Sequence, residues 1–200
     1  MMQTRWLAIC GIAGSVLFVG AFVIFAMLTP GYDHAVNAVS ESGTSDARYP
    51  LAWNVIGFIL VGLLVTAFGW GLRSGTPSKL LSVLVIVSGI GFTGLGVFSA
   101  DPGFRASPAT TLHFAMVMIN YLAFVAGAIV GGIVFRKDAL WKRFAIFSVV
   151  MAGVGVSSFL IPRSIPLGIS QRIGLAAYFV WILGIAYGLL DISNARISSG

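Results

Sequence analysis

The chain has 200 residues, of which 58% are hydrophobic and 9% charged, with a mean hydropathy of +0.99 and a net charge of +6. A soluble domain carries about 25% charged residues, so composition excludes a soluble fold. The basic balance does not mark a nucleic-acid binder, because no basic run is interleaved with aromatics and basic residues in short inter-helix gaps act as topology signals.

Taking charges and Pro/Gly clusters as boundaries, six apolar stretches are expected as spans, over residues 6–29, 51–72, 80–100, 109–135, 144–161 and 173–190. A helix of roughly 20 apolar residues crosses a hydrocarbon core of about 30 Å, and open strands in lipid would leave backbone groups unpaired. The expected fold is therefore all-α: a polytopic membrane protein whose single domain is a compact bundle of six transmembrane helices. The first stretch is too long for a signal-peptide core and lacks a small-residue cleavage site, so it reads as a retained span. The one cysteine, Cys10, lies within it and allows no intrachain disulfide.

The first gap, Pro30 to Pro50, is the longest and carries Tyr32-Asp33-His34, then Asn37 and Ser40-Glu41-Ser42-Gly43. Its mildly apolar middle, Ala35 to Val39, is expected to form a short helix lying on the bundle. Asn54 sits one turn inside the second span. The third span is thinned by Gly89, Gly91, Gly94 and Gly96 and ends at Phe98-Ser99-Ala100-Asp101-Pro102. The fourth opens with Thr110, Thr111 and His113, and Asn120 lies seven residues on, on the same face. In the fourth gap Ala139-Leu140-Trp141 stands between basic residues and reads as an exposed interface anchor. The fifth gap adds Arg163, Gln171 and Arg172. Gly127 with Gly131, and Gly184 with Gly188, are spaced four apart on one face, a signal for close helix packing.

Charge sets the orientation. The tails and the even gaps together carry +6 and the odd gaps 0, which places both termini and the even gaps in the cytoplasm of a plasma-membrane protein. The odd gaps then face outward. There a serine, carboxylates, a histidine, arginines and asparagines gather at similar depth. Ser40 as nucleophile, His113 as base and Asp101 as its orienting partner form a triad by composition, with Glu41, Asn54, Asn120, Arg163 and Arg172 as substrate-binding candidates. Simpler readings stand beside these: Asp101 opens a turn, Thr110 and Thr111 cap a helix, and the arginines pair with Glu41 or Asp101. His113 is the sharpest, since an ionisable group inside a span is costly without a partner. Two histidines without a spacing motif point to no metal site, and nothing indicates a cofactor.

Asn37-Ala-Val-Ser40-Glu41-Ser42-Gly43, followed by Asn54-Val-Ile-Gly57-Phe58 and Gly62-Leu-Leu, resembles the opening of the domain-of-unknown-function 998 family of small six-span membrane proteins. Asp101 after Phe98 is similar to the family's end of the third helix, His113 to its following histidine, and Gln171-Arg172-Ile173 with Trp181 to its entry into the last helix. Ser42 stands where leucine is usual, Ser99-Ala100 replace a Phe-Pro element, and Gln171 replaces an acid. The resemblance implies the six-span fold and this grouping of residues; it carries no reaction.

The leading functional reading is a protein that binds or processes a lipid head group or lipophilic small molecule at the outer leaflet, with Arg163 and Arg172 engaging a phosphate or carboxylate. Its enzymatic version is a membrane-embedded hydrolase or transferase. A second reading is a membrane scaffold whose glycine faces meet another copy or another membrane protein. A third is a small-solute transporter subunit, for which Asn120 is the main mid-span polar group; no internal repeat supports it.

Overall fold

The computed structural model describes residues 2–162 and 164–198. Six helices follow in order: α1 (Met2–Leu28), α2 (Pro50–Gly75), α3 (Lys79–Val97), α4 (Pro108–Phe135), α5 (Arg143–Phe159) and α6 (Leu167–Ser198). No strand occurs among the described residues. The helix starts follow local chemistry. Pro50 opens α2, where a missing N–H costs nothing. The Ser78 hydroxyl accepts the Leu81 N–H at 3.2 Å to cap α3. Ser107, with Pro108 behind it, caps α4 by accepting the Thr110 N–H at 3.1 Å. The cap of α4 is thus Ser107 and not the expected Thr110 or Thr111. The freed Thr110 hydroxyl instead accepts the Asp101 N–H at 3.0 Å.

Five of these helices are long and apolar enough to cross a membrane. The sixth, α5, has 17 residues, about 25 Å at 1.5 Å per residue and short of a hydrocarbon core of about 30 Å. The molecule is an all-helical bundle of membrane-protein character. Its outer surface carries large apolar side chains, among them Met27, Leu51, Leu122 and Ile146, a surface suited to lipid and too apolar for water.

Each helix packs against the next in the chain, and α6 closes back on α1, so the six form a ring. Aromatics fill its middle: Phe18 stacks on Phe179 at 4.2 Å, and Phe92 meets Phe179 edge-on at 5.4 Å. Glycine sets the tightest approaches. A Cβ on Gly89 would lie 2.6 Å from the Thr66 backbone nitrogen, so α2 and α3 pack backbone to backbone there. Gly184 and Gly188 receive the Phe147 and Phe144 rings of α5. That glycine face is filled from within the chain.

The chain termini, the α2–α3 turn and the α4–α5 turn share one end. Thr4 meets Ser74 at 3.3 Å, and Arg143 pairs with Asp191. Trp141 departs from its expected place here. It is 1% exposed, stacks on Phe135 at 4.8 Å and donates from its indole N–H to the Gly75 carbonyl at 3.0 Å. The orphan carbonyl at the end of α2 needs a donor, and the α4–α5 turn supplies one by folding the indole inward.

At the opposite end the expected helix over Ala35 to Val39 is displaced. A 3-10 helix forms instead over Val39–Gly43. The Asp33 carboxylate takes the Ala35 N–H at 2.7 Å and holds a turn. The Glu41 carboxylate takes the Ala38 N–H at 3.0 Å, so the helix starts only after Ala38.

Candidate functional site: a cavity under the loop end

Beneath the 3-10 helix lies a cavity of about 490 Å³. Phe58 of α2 and Phe92 and Leu95 of α3 form its back. His113, Phe114, Val117, Met118, Asn120, Tyr121 and Phe124 come from α4, and Ser158 and Phe159 from α5. Leu167, Ser170, Gln171, Gly174, Leu175 and Tyr178 come from α6. Val39, Ser40 and Phe104 close it from above. No Asp, Glu, Lys or Arg is among these residues. Size and lining match a small-molecule site: largely apolar, with a few convergent polar groups.

His113 and Asn120 reach this wall because seven residues return a helix to the same face. His113 is 2% exposed, and its Nδ1 lies 2.8 Å from the Phe98 carbonyl. A carbonyl only accepts, so Nδ1 carries the proton. Nε2 has no partner among the described residues. The group that orients His113 is thus a backbone carbonyl freed by the end of α3, where Asp101 was expected. Asp101 is held by its own N–H on Thr110 and does not line the cavity. Ser40 is 6% exposed and shares the wall with His113, with no side-chain hydrogen bond among the described residues. Asn120 donates from Nδ2 to the Ser88 carbonyl at 3.0 Å.

The other expected site residues serve the roof. Glu41 accepts from Asn37 Nδ2 at 2.7 Å as well as from Ala38, and so folds its own loop. Asn54, in a π-helical stretch of α2 (Asn54–Leu60), donates to the Gly43 carbonyl at 2.9 Å and to Ser99 at 2.7 Å. Gly43 is fixed by this contact, since a Cβ there would run into Asn54. Arg172 has no carboxylate partner among the described residues. It donates to the Asn37 carbonyl at 2.9 Å, the Gly168 carbonyl at 2.7 Å and the Tyr32 hydroxyl at 2.9 Å, and it lies over the Phe22 ring at 5.2 Å. It staples the first loop to α6. Gln171 adds to the same seam by accepting the Val39 N–H at 2.5 Å. Burial pushes the Tyr32 hydroxyl above its ordinary pKa, and the adjacent Arg172 guanidinium opposes that rise. Arg163 lies outside the described residues.

Sequence reasoning missed Tyr121, Ser158 and Ser170. Tyr121 donates to the Gly155 carbonyl at 2.9 Å, Ser158 to the same carbonyl at 2.7 Å, and Ser170 to Leu167 at 3.1 Å. Tyr121 was adjacent to Asn120 in sequence, but only the register of α4 against α5 shows that it reaches the cavity. No group of three or more His, Cys, Asp or Glu side chains gathers as a metal site among the described residues.

The family described as "Protein of unknown function (DUF998)" matches residues 12–188, from α1 to α6. The chain belongs to this family. No curated protein and no solved structure matches it. The DUF998 match covers the roof loop, His113, Asn120 and the Gln171-Arg172 seam together, so the cavity lies wholly inside the family unit.

Proposed function

We propose that this DUF998 protein is a six-span plasma-membrane protein that binds a lipid or lipophilic small molecule in the cavity beneath its first loop. The observation that carries the reading is the cavity itself: about 490 Å³ of mainly apolar space, larger than the polar-lined pocket of about 330 Å³ at the termini end. Phe114, Phe159 and Leu167 line it and are also exposed, at 45%, 62% and 51%. An apolar rim of this kind suits entry from the acyl-chain region better than entry from water. The short α5 contributes to it, since Phe159 is that helix's last residue.

Orientation follows from charge. The basic residues of the termini end, including Arg73, Lys79, Arg136, Lys137, Lys142 and Arg143, support a cytoplasmic position for that end, with the cavity at the outer leaflet. Binding is favoured over chemistry because His113 is oriented by a neutral carbonyl, whereas a triad base is oriented by a carboxylate that stabilises its charged form.

The test is co-purification. Wild type, Val117→Trp (on the cavity wall) and Ile146→Trp (78% exposed on the outer surface) are extracted gently, and bound lipophiles are read by native mass spectrometry. Wild type and Ile146→Trp are expected to hold the same defined lipophile and Val117→Trp to lose it. The same unselective lipid profile in all three sinks the reading.

A further inference from the structure

The cavity wall also constrains the chemistry of its occupant, and this step rests on the binding reading above. Two facts matter: among the described residues the wall has no charged side chain, and its hydroxyls on Tyr121, Ser158 and Ser170 have already spent their hydrogens. Tyr121 and Ser158 both donate to the Gly155 carbonyl, at 2.9 and 2.7 Å, which fills both lone pairs of that oxygen. Ser170 donates to the Leu167 carbonyl. Asn120 donates to the Ser88 carbonyl, and the His113 proton is held by Phe98. Toward a neighbour Tyr121, Ser158 and Ser170 retain only hydroxyl lone pairs, whereas Asn120 keeps its amide oxygen and a second N–H, Ser40 and Gln171 add an O–H and an amide NH2, and His113 Nε2 is itself buried.

Such a wall selects against charge. A phosphate or carboxylate brings only acceptors and charge. Its negative charge would meet no cation among the described wall residues, and burying an unpaired charge is strongly unfavourable. Arg172, the nearest expected anion partner, is absent from the wall, and both its terminal nitrogens are already donating to the loop and to α6. An ammonium head fares no better, because the wall has no carboxylate among the described residues. An uncharged head that brings its own O–H or N–H group satisfies the lone pairs of the Tyr121, Ser158 and Ser170 hydroxyls and leaves no charge buried. We infer that the occupant is an uncharged, donor-bearing lipophile: a hydroxyl- or amide-headed chain, and not a phospholipid head group.

Three probes that share one chain separate the alternatives. The full-length protein in amphipol is presented with 1-dodecanol, 1-methoxydodecane and dodecyl phosphate, and the one-to-one adduct is titrated by native mass spectrometry. The alcohol is expected to bind at least tenfold more tightly than its methyl ether, which keeps the chain and loses the donor. Dodecyl phosphate is expected to bind more weakly than the alcohol. In Tyr121→Phe/Ser158→Ala, which removes two acceptor oxygens and keeps the ring, the alcohol-to-ether ratio is expected to shrink severalfold.

Equal binding of alcohol and ether overturns the inference and leaves the cavity as a purely apolar site. Preference for the phosphate overturns it and returns an anion site to the binding reading. An unchanged ratio in the double variant removes the wall acceptors from the explanation and overturns it too. Retention of none of the three removes the binding reading itself.

Discussion

The two ends of the ring are built on opposite plans. At the termini end Trp141 fills the space between Phe135, Phe144 and Gly188, and its indole N–H satisfies Gly75. The pocket there, about 330 Å³, is lined mostly by polar and charged side chains such as Arg73 and Lys79. At the loop end the cavity is larger, about 490 Å³, and mainly apolar. The buried side-chain atoms without a partner are Ser42 Oγ, Trp53 Nε1, Asn54 Oδ1, His113 Nε2 and Arg172 Nε, all in the loop half among the described residues. Unsatisfied buried groups cost about 1–3 kcal/mol each, and a fold that concentrates them in one half keeps that half less settled. The difference teaches that this bundle leaves its unpaired buried polar groups at the end with the apolar cavity and has a polar-lined recess at the other.

The comparison breaks most sharply at Trp141. Trp141→Ala is expected to destabilise the protein by about 3–5 kcal/mol, the range for deleting a buried tryptophan, read as a loss of thermal stability in detergent. Lipophile retention below the new melting point should be unchanged. If retention falls together with stability, the two ends are one cooperative unit and the contrast fails.

Arg172→Gln acts on the other end. It keeps part of the hydrogen bonding, loses the fork onto Asn37, Gly168 and Tyr32, and should cost about 1.5–3 kcal/mol locally, as for hydrogen bonds to a charged group. The expected signature is faster tryptic cleavage after the exposed Arg48, with roughly tenfold weaker lipophile retention. Unchanged cleavage would mean that the roof does not depend on this staple.

The smallest effect is a pH dependence. The Tyr32 hydroxyl has its pKa raised on folding, so the folded protein holds that proton when the unfolded chain has released it. The stabilisation is complete below the ordinary tyrosine value, near 10, and is lost as pH rises through the raised folded value. Stability should therefore fall above pH 10 by more in wild type than in Tyr32→Phe. Parallel falls would show that Tyr32 takes no part.

Much of the bundle was legible in the sequence because lipid leaves the backbone few choices: every predicted span falls on a helix, and the short fifth one was already visible in its spacing. The His113–Asn120 face was legible for the same reason, since a sevenfold step on a helix needs no tertiary knowledge. Trp141 misled because an aromatic between basic residues has the same local pattern whether it meets lipid head groups or a free helix carbonyl. Arg172 misled similarly: a basic residue near polar loops suggests an anion, and only the folded loop reveals the carbonyls and phenol that hold it. Tyr121 and Ser158 could not be paired from sequence, because their meeting at Gly155 depends on the register of two helices.

The central claim is that the loop-end cavity, and not the outer surface, holds the lipophile. Photolabelling tests it most directly. A diazirine-bearing dodecanol is activated on the membrane-embedded protein, and labelled peptides are mapped by mass spectrometry. The account predicts label concentrated on residues 113–121 and 167–178, and competed away by unlabelled dodecanol. Label spread evenly over the exposed faces of α1 and α5, around Val16–Ile24 and Ile146–Val150, and indifferent to competitor would contradict it.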